Sequence, residues 1–333
     1  MLKKFLLITS LILLVLPLGL RAFEETSISN NLLAEVKPSS PGPGELVTIT
    51  LTGYGFELDT STISWYVDDK LVLRDFGRKT FSFNLGPVGE QTKITVFVAS
   101  RSGQKATKTF IFDPAEIELF WDTQTSHPAF YQGKARPSAG ATIHLVAWPY
   151  LVNRAGQKIA PTNLTYRWQK NDTALDTLSG LGRNSISIKT GPTDSQLKIS
   201  VTALSLADNI SATKNLVINL VRPEILFYEK KPLVGINYGQ VLPNEYSLFD
   251  TEVTVRAEPY FLPLDNNLFF KYLWTIDQSP AESRPDDPLA ITLRPSQNVS
   301  GSNRISFSAQ SANSNFRNSF IIKYGSGLLK PQI

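Results

Sequence analysis

The chain offers little to do covalent chemistry with: two histidines, His127 and His144, and no cysteine among 333 residues. A zinc site needs about four nitrogen, sulfur or oxygen ligands at suitable spacing, and no His pair or Cys supplies them. His144 alternates with Ile143 and Leu145 in an apolar run and is expected on the solvent face of a strand. Neither Gly-x-Ser-x-Gly nor a Gly-x-x-x-x-Gly-Lys-Ser/Thr loop occurs, so nucleophile-elbow and phosphate-cradle chemistry find no carrier. The adjacent carboxylates Asp68-Asp69 and Asp286-Asp287 sit in turn-like contexts, where hydrogen bonds from Asp to nearby backbone explain them without glycoside chemistry. No catalytic residue is assigned, and the chain reads as non-enzymatic.

Two weaker kinds of chemistry remain. Calcium uses carboxylates and carbonyls, and Asp113, Glu116 and Glu118, with Glu224 and Glu229 further on, are weak candidates at expected domain junctions. The alternative is exposed acids at strand ends; no other cofactor is expected. The pairs Phe120-Trp121, Phe130-Tyr131, Tyr260-Phe261 and Phe269-Phe270 place neighbouring rings on opposite strand faces. From these, Trp121, Tyr131, Tyr260 and Phe261 are candidate binding aromatics for a sugar or a protein, the alternative being that they cover seams between domains.

These residues must be held by something, and the chain declares it by repetition. A basic residue, Ile, and Ser or Thr open an alternating apolar run at Lys93-Ile94-Thr95, Lys198-Ile199-Ser200 and Arg304-Ile305-Ser306, spaced by 105 and 106 residues. Upstream of each lies a tryptophan in an aromatic or β-branched run, Trp65, Trp168 and Trp274, spaced by 103 and 106. Period-two alternation buries Ile94/Val96/Val98, Ile199/Val201/Ala203 and Ile305/Phe307/Ala309, and turns the basic and hydroxyl side chains to water. Each copy offers about seven short strands in roughly 100 residues, the pattern of a β-sandwich. Trp65, Trp168 and Trp274 belong to the cores. The second and third copies match further, in Trp148-Pro149-Tyr150 and Glu258-Pro259-Tyr260, where proline is expected to end or bulge the strand.

The N-terminus has the layout of a signal peptide: Lys3 and Lys4, an apolar run from Phe5 to Leu16, a break at Pro17 and Gly19, then Ala22. Cleavage is expected after Ala22. The run is shorter than the roughly 20 residues that span a bilayer, so the membrane is met only through an uncleaved leader. Residues 1–22 hold three of the 33 basic residues and no acidic one, leaving 30 against 29 acidic. A near-neutral remainder without a clustered basic run argues against nucleic acid as a partner.

The expected organisation is a signal peptide at 1–22, a flexible tail at 23–31, three domains at 32–113, 114–221 and 222–325, and a tail at 326–333. On the strand tryptophans, the Tyr-x-Trp forms at Tyr166 and Tyr272 and the Lys/Arg-Ile-Ser/Thr strands, the chain resembles the tandem immunoglobulin-like and PKD-like modules of bacterial cell-surface proteins. Gln169-Lys170-Asn171 and Thr275-Ile276-Asp277 do not reproduce the turn typical of PKD modules. The resemblance implies an all-β chain of three tandem immunoglobulin-like sandwiches, exported to the periplasm, surface or exterior. Its implied role is to engage a protein or glycan at the envelope, with a passive spacer in an envelope or pilus-like assembly and an accessory subunit of a secreted enzyme as alternatives.

Overall fold

Alternating apolar residues become strands nearly everywhere in the computed structural model, which describes residues 23–27 (backbone), 32–54, 57–264, 270–296, 299–311 and 314–325. The expected leader at 1–22 and the tail at 326–333 lie outside the described residues. The first repeat holds β1 (Phe23–Ser27), β2 (Leu32–Lys37), β3 (Leu46–Gly53), β4 (Thr62–Val67), β5 (Lys70–Phe76), β6 (Thr80–Asn84), β7 (Thr92–Ala99) and β8 (Lys105–Phe112). The second holds β9 (Glu116–Thr123), β10 (Thr142–Tyr150), β11 (Thr165–Lys170), β12 (Thr173–Ala174), β13 (Gly180–Leu181), β14 (Ser185–Lys189), β15 (Gln196–Ser205) and β16 (Ile210–Asn219). The third holds β17 (Glu224–Lys231), β18 (Gly235–Val241), β19 (Glu245–Leu248), β20 (Val253–Tyr260), β21 (Lys271–Ile276), β22 (Ser279–Ala281), β23 (Ala290–Leu293), β24 (Gly301–Gln310) and β25 (Asn315–Tyr324).

Each repeat contributes two sheets: β2-β3-β6 with β1-β8-β7-β4-β5, then β14-β10-β9 with β12-β11-β15-β16 (β13 pairing β11), then β18-β17-β20-β23 with β19-β25-β24-β21-β22. The chain is therefore a tandem array of immunoglobulin-like β-sandwiches. By compactness it divides into two units, Met1–Ile117 with Pro149–Tyr166 and Thr202–Thr213, and Glu118–Trp148 with Arg167–Val201 and Lys214–Ile333. Parts of the second repeat fall in each. In the first unit Gly89, at φ +84°, comes so near Val152 that an added Cβ would lie 3.2 Å from it.

The tail expected at 23–31 needs correction at its start. Phe23–Ser27 pairs antiparallel with β8, Phe23 opposite Phe112 and Ser27 opposite Lys108. As the last strand of the ladder, β8 would otherwise present a row of open backbone donors and acceptors, and β1 satisfies them. The strand prolines also act more mildly than expected: β10 and β20 each run one residue past theirs, and Pro259 keeps register opposite Ile225.

The same lock closes every repeat. Trp65, Trp168 and Trp274 are buried, and each indole N–H donates to a backbone carbonyl just ahead of the next sheet's strand: Arg78 at 3.0 Å, Arg183 at 2.9 Å and Pro288 at 3.3 Å. After each tryptophan strand comes a two-residue turn with both residues at positive φ, Asp68-Asp69, Asn171-Asp172 and Asp277-Gln278, as a type I′ hairpin requires. The first turn residue then fastens the basic residue that opens the Ile strand. Its Oδ1 accepts from the backbone N–H of Lys93 (2.9 Å), Lys198 (3.0 Å) or Arg304 (2.7 Å), and its own N–H donates back to the same residue's carbonyl. For Asp277 the bonds from Asn303 and the Arg304 amide hold the carboxyl below the ordinary Asp range.

In the first sandwich Trp65 stacks on Phe81 at 5.2 Å, and Ile63, Ile94, Val96, Val98, Phe110 and Phe112 fill the space around them. In the third, Trp274 meets Phe307 edge-on at 4.9 Å. Trp168→Ala is expected to destabilise its repeat by about 3–5 kcal/mol, the cost of deleting a large buried aromatic. Trp168→Phe, which keeps a ring but leaves the Arg183 carbonyl without its donor, should cost about 1–3 kcal/mol. Chemical denaturation of both variants checks the order; a Trp168→Phe protein as stable as the parent would remove the indole N–H from the account.

Candidate functional site

Three of the four candidate aromatics come together, and they do so at a seam. After β9 the chain runs along the end of β20: the Ser126 N–H donates to the Leu262 carbonyl (2.8 Å), the Phe261 N–H to the Ser126 carbonyl (2.6 Å), and the Leu264 N–H to the Gln124 carbonyl (3.0 Å). The Ser126 hydroxyl accepts from the Leu262 N–H (2.9 Å) and donates to the Pro259 carbonyl (3.0 Å). Against this short ladder Tyr131 meets Phe261 edge-on at 5.6 Å, Phe261 meets Tyr260 at 6.1 Å, and the Tyr260 and Tyr228 hydroxyls bond at 2.7 Å. Phe130 packs on Tyr238 at 4.2 Å. Tyr131, Tyr260 and Phe261 thus fasten the second repeat to the third.

Beneath these rings lies a charged network that the sequence did not reveal. The carboxylate of Glu258, 3% exposed, accepts from Arg256 Nε (2.6 Å) and from the Tyr238 hydroxyl (2.8 Å). Asp287 accepts from Arg256 Nη1 (2.5 Å), Lys230 Nζ (3.2 Å) and the Leu289 N–H (3.3 Å). Burial, then the bond and charge of Glu258, push the Tyr238 phenol up; burial and the bond to Tyr228 do the same to Tyr260. Both carboxylates are matched by cations, and both phenols stay protonated. The arrangement holds strands β17, β18 and β20 to the loop before β23 and offers no poised acid or base. Arg256 and Glu258 stand at alternate positions of β20, opposite in facing to buried Val255 and Ala257, so the sequence reads them as solvated; the covering strand and segment are what bury them.

The fourth aromatic, Trp121, is half-buried under Lys134, whose Nζ lies 3.4 Å from the ring centroid. Burial there lowers the ammonium's pKa, with the Asp122 charge opposing. The ring face is engaged in a cation–π contact within the chain. The calcium candidates are spread: Asp113 accepts from Gln91 Nε2 (2.8 Å), Glu116, Glu118 and Glu224 are exposed on strands, and Glu229 faces Lys231 at 3.7 Å. Among the described residues no three His, Cys, Asp or Glu side chains gather as a metal site. His127 lies against the Tyr131 ring at 5.6 Å, and His144, exposed on β10, bonds Ser187 Oγ through Nδ1 at 2.8 Å.

The open aromatic surface lies elsewhere, on the outward face of β9-β10-β14. Ile143, Leu145 and Ala147 are fully buried, so His144, Val146 and Trp148 point the other way. Phe120 shares this face from β9, and Ser185 and Ser187 from β14, with His144 opposite Ser187 and Val146 opposite Ser185. Phe120 is 53% exposed, Trp148 46% and Val146 37%. Glu118 and Asp122 flank Phe120 at the outward positions of β9. The alternation of Ile143, Leu145 and Ala147 is the sequence signal for Trp148 facing outward, even with Pro149 after it.

No family model and no curated protein matches the chain. Among solved structures it is similar to the three N-terminal domains of the bacteriophage RB49 Highly Immunogenic Outer Capsid protein, at 14% identity over 90% of this chain and 99% of that one, TM-score 0.27. The Clostridium thermocellum CbhA fibronectin(III)-like modules share 13% identity over 56% of this chain and 94% of that one, TM-score 0.29. A Bacteroides ovatus mixed-linkage glucan utilization locus protein, SGBP-B, solved with a mixed-linkage heptasaccharide, shares 13% over 88% of this chain and 70% of that one, TM-score 0.19.

Arg256→Met leaves Glu258 and Asp287 short of their shared cation and should destabilise the third repeat by about 3–5 kcal/mol, as removing one partner of a buried ion pair does. Thermal unfolding measures it; a variant within 1 kcal/mol, roughly the size of an exposed pair, would show the network to be a surface feature.

Proposed function

We propose that the chain is an exported, noncatalytic interaction arm that meets a protein or glycan at the cell envelope through the outward face of β9-β10-β14. The observation that carries the reading is the joint exposure of Phe120, Val146 and Trp148 on one sheet face, set among hydroxyls, His144 and the carboxylates of Glu118 and Asp122. A flat apolar centre ringed by polar groups is the usual make-up of an interface core and rim, and ring faces beside hydroxyls and carboxylates also suit sugars. Trp121, Tyr131, Tyr260 and Phe261 pack against partners within the chain. Export rests on the layout of residues 1–22, and N-terminal sequencing of the exported protein should begin at Phe23.

A spacer is the second reading, favoured by the backbone ladder between Gln124–Ser126 and Phe261–Leu264, which restricts the seam between two repeats. The two readings separate on one experiment. Purified protein carrying Phe120→Ser and Trp148→Ser should unfold near the parent temperature, since both side chains are about half exposed, yet bind the envelope fraction of its source cells at least tenfold more weakly. Equal binding by parent and variant, or no saturable binding by either, would leave the spacer.

A further inference from the structure

The outward face of the third repeat's five-stranded sheet carries a second surface, independent of the aromatic one. Thr275, Ser306 and Ser319 form a single cross-strand row, Thr275 opposite Ser306 and Ser306 opposite Ser319. Two arginines converge on that row from either end. Arg317 Nη2 donates to Ser306 Oγ at 3.1 Å, and Arg304 Nη1 donates to Ser319 Oγ at 3.3 Å. Thr275, Ser306 and both arginines border an open cleft of about 360 Å³ whose lining residues include no carboxylate.

The donors here outnumber the acceptors. Each guanidinium has five N–H groups, and each hydroxyl that accepts from one still has a proton to give. Neither Arg304 nor Arg317 forms a salt bridge among the described residues, although Arg256, Arg284 and Arg294 in the same repeat all do. The near carboxylate, Asp277, already accepts from Asn303 and from the Arg304 backbone. Thr275 Oγ1 is buried with no hydrogen-bond partner, one of two such side-chain atoms among the described residues. A buried unmatched hydroxyl and two guanidiniums without a salt bridge among the described residues face the same row, and the charge of Asp277, which Arg304 feels, lies outside the cleft lining.

We infer that this cleft binds an oxyanion borne on a saccharide, a sulfate ester or a uronate. Arginine forks and hydroxyls would meet the anionic group, and the Gln310 and Asn315 amides at the cleft's end suit neighbouring sugar hydroxyls. No aromatic ring lines the cleft, so the stacking platform that single-stranded nucleic acid uses is missing.

The test titrates the full chain with dextran sulfate, with uncharged dextran and with inorganic sulfate, by calorimetry at fixed ionic strength. Dextran sulfate should bind and dextran should not. Arg304→Gln with Arg317→Gln should weaken binding at least tenfold, while Arg222→Gln, an exposed arginine elsewhere in the repeat, should change it less than twofold. Thr275→Val removes the unmatched hydroxyl at constant shape; it should weaken dextran sulfate binding severalfold while leaving the melting temperature equal or higher. A hydroxyl serving only the fold would give unchanged binding and a lower melting temperature. Equal losses in the Arg222→Gln and double variants would reduce the effect to general charge and overturn the site. Inorganic sulfate binding as tightly per sulfate group as dextran sulfate would overturn the saccharide.

Discussion

A buried indole has one polar atom, and everything in these sandwiches depends on giving that atom a partner. The tryptophan of each repeat supplies a large apolar surface to the centre of its domain, but its N–H would cost about 1–3 kcal/mol if it were buried unmatched. In all three repeats a backbone carbonyl immediately ahead of the opposing sheet's strand accepts it. That bond ties the two sheets at their centre, and the positive-φ turn beginning three residues later ties the tryptophan strand to its neighbour through an Asx side chain. With two such fixings the register of each sandwich is set without a disulfide, in a chain that has no cysteine.

Those fixings explain why so much of the fold was legible. Tryptophan and Lys/Arg-Ile-Ser/Thr recur at near-equal spacing because they are the two strands that the turn fastens together. The basic side chain matters less to this than its backbone amide. What the sequence hid is which outward faces another segment covers. Tyr260 and Phe261 look like a free aromatic pair, and Glu258 like a solvated acid, until the stretch from Gln124 to Tyr131 is laid beside them. Conversely Trp148 looks like the end of a strand because Pro149 follows, yet its side chain stands at the open face. Alternation gives the face of a residue; burial of that face depends on segments more than a hundred residues away, and no local pattern encodes it. The edge strand Phe23–Ser27 escaped notice for the same reason, since its partner, β8, is some 85 residues downstream.

The division of labour among the aromatics then follows. Rings at the ends of β20 and in the segment after β9 are spent on holding two repeats together, and the buried Arg256 network beneath them fixes the strands they rest on. Phe120 and Trp148, on the outward sheet face, stay about half exposed. The third repeat adds a polar counterpart, a row of hydroxyls to which Arg304 and Arg317 donate.

Footprinting by hydroxyl radicals tests the open face of β9-β10-β14 without altering a residue. The purified protein would be labelled free and after mixing with the envelope fraction of its source cells, and the modification of each aromatic read by mass spectrometry. Strong protection of Phe120 and Trp148 on binding, with Trp65, Trp168 and Trp274 unreactive in both states, is the expected result. Phe120 and Trp148 labelled equally in both states would contradict it.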